Sequence, residues 1–181
     1  LAALYKSQGR YQEAEPLYLD ALNIRKAELG ERHPATANSL HNLAALYKSQ
    51  GRYQEAEPLY LDALNIARDV LGERHPATAT SLNNLALLYE SQGRYQEAEP
   101  LLLDALNIRK AELGERHPDT ATSLFNLAEL YHQTQRSQQA LNYIQQALNI
   151  YIPLLGPDHP TTQAANRWLE AIKQALSGQD S

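Results

Sequence analysis

A string of 24 residues, LAALYKSQGRYQEAEPLYLDALNI, begins at Leu1 and returns unchanged at Leu43. Close copies begin at Leu85 and Leu127, so the period is 42 residues throughout. A unit this short cannot bury its apolar face alone, and repetition at a fixed period forces neighbouring units to stack. The copy from Leu127, LAELYHQTQRSQQALNYIQQALNI, diverges most, which suits an end of the array.

Within the unit the pattern is helical. His33-Pro34 opens a first helix, because proline is tolerated where the first N–H groups have no intrahelical partner. Leu40, Leu43, Ala44 and Tyr47 follow at i, i+3, i+4 and i+7, an apolar face. Gln50-Gly51-Arg52 breaks this helix. A second helix carries Tyr53, Ala56, Leu59, Tyr60, Ala63, Leu64 and Ile66 and ends at Leu71-Gly72, with Pro58 near its first turn. Ala44, Ala56 and Ala63 are small where two helices must approach closely. The expected fold is all-α, a right-handed α-solenoid of antiparallel helix hairpins.

The expected layout is a single repeat domain over 1–181. It has a partial first repeat at 1–30 and hairpins at 34–72, 76–114 and 118–156. A capping helix follows at 160–176, with Ala165, Trp168, Leu169, Ile172 and Leu176 on one face. The tail from Ser177 is expected to fray. The chain opens on Leu1 rather than methionine and reads as a fragment. Leu1 to Gln8 then forms only the back half of a first helix. That leaves an apolar edge through which a homodimer could close.

Net charge is −5 and there is no cysteine, which removes disulfides and thiolate metal sites. The acidic balance gives no reason to expect nucleic acid or an anionic membrane as partner. No apolar run approaches the roughly 20 residues of a membrane span. Glycine-rich phosphate loops, HExxH and GxSxG are missing, so no enzyme activity and no cofactor are expected.

The residues that shape the hairpin resemble the tetratricopeptide repeat. The family's large residue, leucine, small residue and tyrosine of the first helix correspond to Leu40, Leu43, Ala44 and Tyr47. Its small–aromatic–small pattern of the second helix corresponds to Ala56, Tyr60 and Ala63. The usual period is about 34 residues. The longer unit here, with LGxxHPxTA between hairpins, looks like the cargo-binding repeats of kinesin light chains, and similar repeats occur in bacterial, notably cyanobacterial, signalling proteins. The resemblance covers residues 1 to about 160. It implies a cytoplasmic scaffold that binds a protein or peptide segment in a concave groove lined by the first helices.

His33, His75, His117 and His159 recur once per repeat. Equivalent atoms of stacked hairpins lie roughly 10 Å apart, whereas metal donors must converge within about 2 Å of one ion. The histidines are therefore read as helix-start residues, and no metal is expected. The 11 tyrosines, among them Tyr5, Tyr11 and Tyr18, mostly hold core positions. Glu13, Glu15 and Asp20 repeat with the array and read as solvated carboxylates.

Differences between copies carry the functional signal. The positions assigned to the groove are Asn38, Thr80 and Thr122; His41, Asn83 and Phe125; Ala45, Leu87 and Glu129; and Lys48, Glu90 and His132. Beside them runs an unvarying ladder of Asn42, Asn84 and Asn126. The resemblance implies that such asparagines hold the backbone of an extended peptide, which one amide can do by donating and accepting. The family groove is basic and accepts acidic, tryptophan-containing peptides, whereas Glu90 and Glu129 put negative charge here. Both asparagines Asn84 and Asn126 are expected to be exposed. The alternative is a structural spacer or self-association module beside a signalling domain. It draws on variation expected on the convex face, where Arg25-Lys26-Ala27-Glu28 becomes Ala67-Arg68-Asp69-Val70.

Overall fold

A computed structural model of the chain describes residues 1–178. Its helices are α1 (Ala2–Ser7), α2 (Tyr11–Leu29), α3 (Pro34–Ser49), α4 (Tyr53–Leu71), α5 (Pro76–Ser91), α6 (Tyr95–Leu113), α7 (Pro118–Gln133), α8 (Ser137–Leu155) and α9 (Pro160–Ser177). No strand is present among the described residues. The helices gather into two compact units, Leu1–Gly93 and Arg94 onward. In the first, α1 packs on α2, α2 on α3, α3 on α4, and α4 on α5. In the second, α6 packs on α7, α7 on α8, and α8 on α9.

Each long first helix starts in the same way. His33, His75, His117 and His159 sit at the N-cap, and each Nδ1 accepts the backbone N–H two residues on, at 3.1–3.2 Å. Proline at the next position has no N–H to satisfy. Thr36, Thr78 and Thr120 add a second tie, donating to the carbonyl oxygens of Gly30, Gly72 and Gly114 at 2.7–2.8 Å. The repeating His-Pro-x-Thr is thus a helix-start device, and its imidazole nitrogen is spent on the backbone.

Leucines and alanines fill the space between helices. Leu40, Leu43 and Ala44 on α3 are buried, as are Leu124, Leu127 and Ala128 on α7. Ala56, Tyr60, Ala63 and Leu64 face them from α4, and Ala140, Ile144, Ala147 and Leu148 from α8. Complete burial of one such leucine contributes roughly 1.5–3 kcal/mol. The sequence pattern missed Leu46, Leu88 and Leu130, all fully buried, and overrated Leu59, which is only half-buried. Two helical faces of α3 and of α7 are covered, by the hairpin partner and by the preceding second helix, so the apolar stripe is wider than one period count reveals.

The turn inside each hairpin closes with a backbone reversal. Arg52 N–H reaches Tyr47 O at 2.9 Å while Gly51 sits at φ 73°. In the last hairpin Gln135 takes the same left-handed place at φ 61°, and Arg136 N–H still reaches Tyr131 O at 2.8 Å. A side chain in that region costs about 1 kcal/mol or more, so the hairpin imposes the geometry on an unfavourable residue.

The carboxylates at the turns are not simply solvated. Glu15 is part-buried; it accepts from the Tyr47 hydroxyl at 3.1 Å and from Arg52 at 2.8 Å. Glu99 likewise accepts from Tyr131 at 2.7 Å and from both terminal nitrogens of Arg136. The guanidinium hydrogen-bonding to Glu99 holds its carboxyl below the usual range. Arg52 and Arg136 also lie over the rings of Tyr47 and Tyr131, at 4.0 and 4.2 Å. Repetition of Glu15 therefore marks a cross-hairpin clamp. Glu13 is exposed and pairs with Arg10, and Asp20 is exposed.

Candidate functional site

On each of α3, α5 and α7 the positions assigned to the groove differ in exposure. On α3, Asn38 and Asn42 are exposed, and His41, Ala45 and Lys48 are half-buried. On α5, Thr80 is exposed; Asn84, Leu87 and Glu90 are half-buried; Asn83 is buried at 5% exposure. On α7, Thr122, Phe125, Glu129 and His132 are half-buried, and Asn126 is buried at 6% exposure.

The expectation of two open amides is corrected accordingly: Asn84 is partly covered and Asn126 almost wholly so. Helix α9 packs against both α7 and α8 and sets the edge of the Trp168 ring against His132, with centroids 5.4 Å apart. Thr122 is also engaged, accepting from the buried Tyr151 hydroxyl at 3.3 Å.

In the first unit the geometry centres on His41. Its Nε2 lies 2.9 Å from Ser81 Oγ, and its Nδ1 lies 3.5 Å from the Asn84 amide nitrogen. Ser81 Oγ donates onward to Ala77 O at 3.1 Å, so it can accept from an Nε2–H of His41. Burial pushes the His41 imidazolium down to about 4, and the ring is neutral at pH 7. Tyr60, whose ring centroid is 5.8 Å from that of His41, has its hydroxyl pushed up to about 12 by burial. Beside His41 opens a pocket of about 210 Å³, lined by Asn38, Ala67, Leu71, Ala77 and Ser81 among others.

Ala67 was the unrecognised residue. The change from Arg25 to Ala67 was assigned to variation on the convex face, but these positions point inward, toward the next first helix. Arg25 donates to Ala35 O at 3.1 Å and Ser39 Oγ at 2.8 Å. Arg109 donates to Asp119 O at 3.1 Å and Ser123 Oγ at 2.8 Å, and is only 5% exposed. Burial pulls the Arg109 guanidinium below its ordinary value. Ala67 is 3% exposed and reaches none of this. The signal available in the sequence was the alternation Arg25, Ala67, Arg109, Tyr151 at one repeat position.

A second pair of openings lies between successive second helices. In the first unit Arg32 closes onto Asp69 at 2.7 Å, and a space of about 230 Å³ remains. In the second, Pro153 holds the place of Asp69, and a cleft of about 560 Å³ is lined by Lys110, Arg116, Leu124 and Ile150 among others.

Tetratricopeptide-repeat family models match residues 1–69, 41–111 and 89–152. The chain belongs to the tetratricopeptide-repeat family. Its solved neighbours include BtubC (BKLC) from P. vanneervenii, at 29% identity and TM-score 0.84, covering 98% of this chain and 70% of that one. A kinesin-light-chain-like protein of Podosopora anserina with nearly identical TPR-like repeats matches at 30% identity and TM-score 0.81, over 99% of this chain and 84% of that one. MamA, at 13% identity and TM-score 0.57, shares the fold alone, over 99% of this chain and 96% of that one. No curated protein sequence matches the chain. The kinesin-light-chain-like character of the 42-residue tetratricopeptide unit is therefore shown, and with it an all-helical repeat fold of a kind that generally serves as a protein-interaction scaffold. No described helix is long and apolar enough to cross a membrane.

Proposed function

We propose that the first helices of the hairpins present a recognition surface for an extended segment of a partner protein. One observation carries this reading. The buried residues of α3, α5 and α7 barely change from copy to copy, while the half-buried row beside them runs Lys48, Glu90, His132. Positions that vary beside an unvarying core are where a repeat can select a ligand. In the first unit, Asn42 and Asn84 would hold the peptide backbone, and His41, Leu87, Lys48 and Glu90 would meet its side chains, with Asn83 buried behind them. In the second, Phe125, Glu129 and His132 offer an aromatic ring, a carboxylate and an imidazole, with Asn126 set deeper behind them.

The test is selection of peptides by display on the full chain, followed by Asn42→Ala and Asn84→Ala. Binding should weaken about tenfold per lost amide, the worth of one to two hydrogen bonds, with little change in melting temperature. Unchanged binding by both variants removes the reading.

A further inference from the structure

Within the proposed peptide surface, and resting on that reading, the pocket at Ala67 has a definite chemistry. Two other junctions of this chain show what normally fills it. A guanidinium from the preceding second helix enters beside the next first helix and donates to one backbone carbonyl and one serine hydroxyl. Arg25 does so on Ala35 O and Ser39, and Arg109 on Asp119 O and Ser123. The same two acceptors recur at the third junction as Ala77 O and Ser81, but the residue that should reach them is Ala67.

We propose that this pocket is a socket for one arginine side chain of the bound partner segment. The arginine supplies from outside the group that Arg25 and Arg109 supply from within. The volume of about 210 Å³ is small against the roughly 300–1,000 Å³ of small-molecule sites, and matches a single long side chain. Ala67 and Leu71 form an apolar wall for the methylene stem, as the stems of buried arginines require. The wall belongs to the last turn of α4, where the helix dipole favours a cation. The mouth lies beside Asn38 and Thr80, both exposed, so a side chain can enter from solvent.

His41 orients the serine. Ser81 donates to Ala77 O and accepts from His41 Nε2–H at 2.9 Å. The second lone pair of Ser81 Oγ stands beside Ala77 O for the incoming N–H groups. A planar fork with several donors suits two acceptors on adjacent turns better than a lysine ammonium does.

The experiment is a titration of the full chain with N-acetyl-arginine-methylamide, followed by amide spectra, with the lysine and alanine analogues as controls. The arginine probe should shift the Ala77, Thr80 and Ser81 amides and the His41 ring saturably in the millimolar range, and the lysine probe several-fold more weakly. Ala67→Arg should abolish these shifts by filling the pocket from within. Ser81→Ala, a mild change should Ala67→Arg misfold, should weaken them roughly tenfold. Equal response to arginine and alanine probes overturns the proposal, as does retention of the shifts in a folded Ala67→Arg chain or undiminished binding by Ser81→Ala. Display-selected peptides that depend on Asn42 and Asn84 while the arginine probe stays silent would leave the peptide surface standing and remove the socket. Arginine binding at Ser81 with selected peptides indifferent to both asparagines would do the reverse.

Discussion

The junction of α4 with α5 and that of α6 with α7 are cut from the same 42-residue pattern, yet one is open and the other filled. Both rest on the same leucines, the same histidine N-cap and the same threonine-to-glycine bond. They part at one buried position. Arg109 crosses to Asp119 O and Ser123, whereas Ala67 ends short and leaves Ser81 to His41. The repeat fixes where acceptors stand, and one side chain decides whether the molecule satisfies them itself. The outer clefts repeat the lesson. Asp69 ties down Arg32, but Pro153 offers Arg116 no carboxylate at the matching place.

If the two junctions share one frame, removing that frame must hurt them alike. Leu85→Ala and Leu127→Ala should each destabilise by roughly 2–5 kcal/mol, since the leucines are 2% and 0% exposed. Urea melts followed by circular dichroism would show it; a loss below about 0.5 kcal/mol at one of them would mean the frames differ.

The next largest effect belongs to the open junction alone. An unfolded His41 takes up a proton near its ordinary value of 6.5, whereas the folded one resists until about 4. The unfolded chain therefore binds more protons between those values, and stability must fall as pH drops from 6.5 toward 4. The burial implies a loss on the order of 2–3 kcal/mol. Melts of the parent chain and His41→Asn across this range should differ in slope, with the variant flatter. Parallel profiles would mean the imidazole is not held neutral by the fold.

At the filled junction, Arg109→Ala deletes two hydrogen bonds and the packed stem, and should cost about 1–3 kcal/mol. It should also convert this junction to the open kind, so that the arginine probe now perturbs Ser123. A smaller effect tests the hairpin turn. Gln135→Gly should stabilise by about 0.5–1 kcal/mol, because the left-handed backbone there suits glycine. The smallest belongs to the outer cleft. Arg32 and Asp69 are both largely exposed, so Asp69→Ala should change stability by no more than about 0.5 kcal/mol, with salt reducing it further.

Much of this architecture was legible before any coordinates. The period, the two helices per unit, the histidine starts and the glycine turns are local in origin. They follow from propensity, capping and backbone sterics, which act within a few residues and repeat whenever the letters repeat. What could not be read was which repeating polar residue is solvent-facing. Glu15 belongs to a clamp with Tyr47 and Arg52, more than thirty residues away, and no spacing rule announces a partner at that distance.

The candidate site divides along the same line. The letters alone marked His41, Lys48, Glu90 and Phe125 as positions that vary beside an unvarying core. They could not grade the asparagines, because the cover over Asn126 depends on packing around α7, and an identical letter at a fixed period carries no record of its neighbours. Nor could they set Ala67 apart from ordinary surface variation. An arginine on a helix reads as exposed until the next helix supplies a carbonyl and a hydroxyl within 3.1 Å. The sequence by itself determined the unit and its repetition, since those are short-range properties of the chain. Only the tertiary structure decided which polar atoms meet, because burial and hydrogen bonding are settled between helices that the sequence keeps apart.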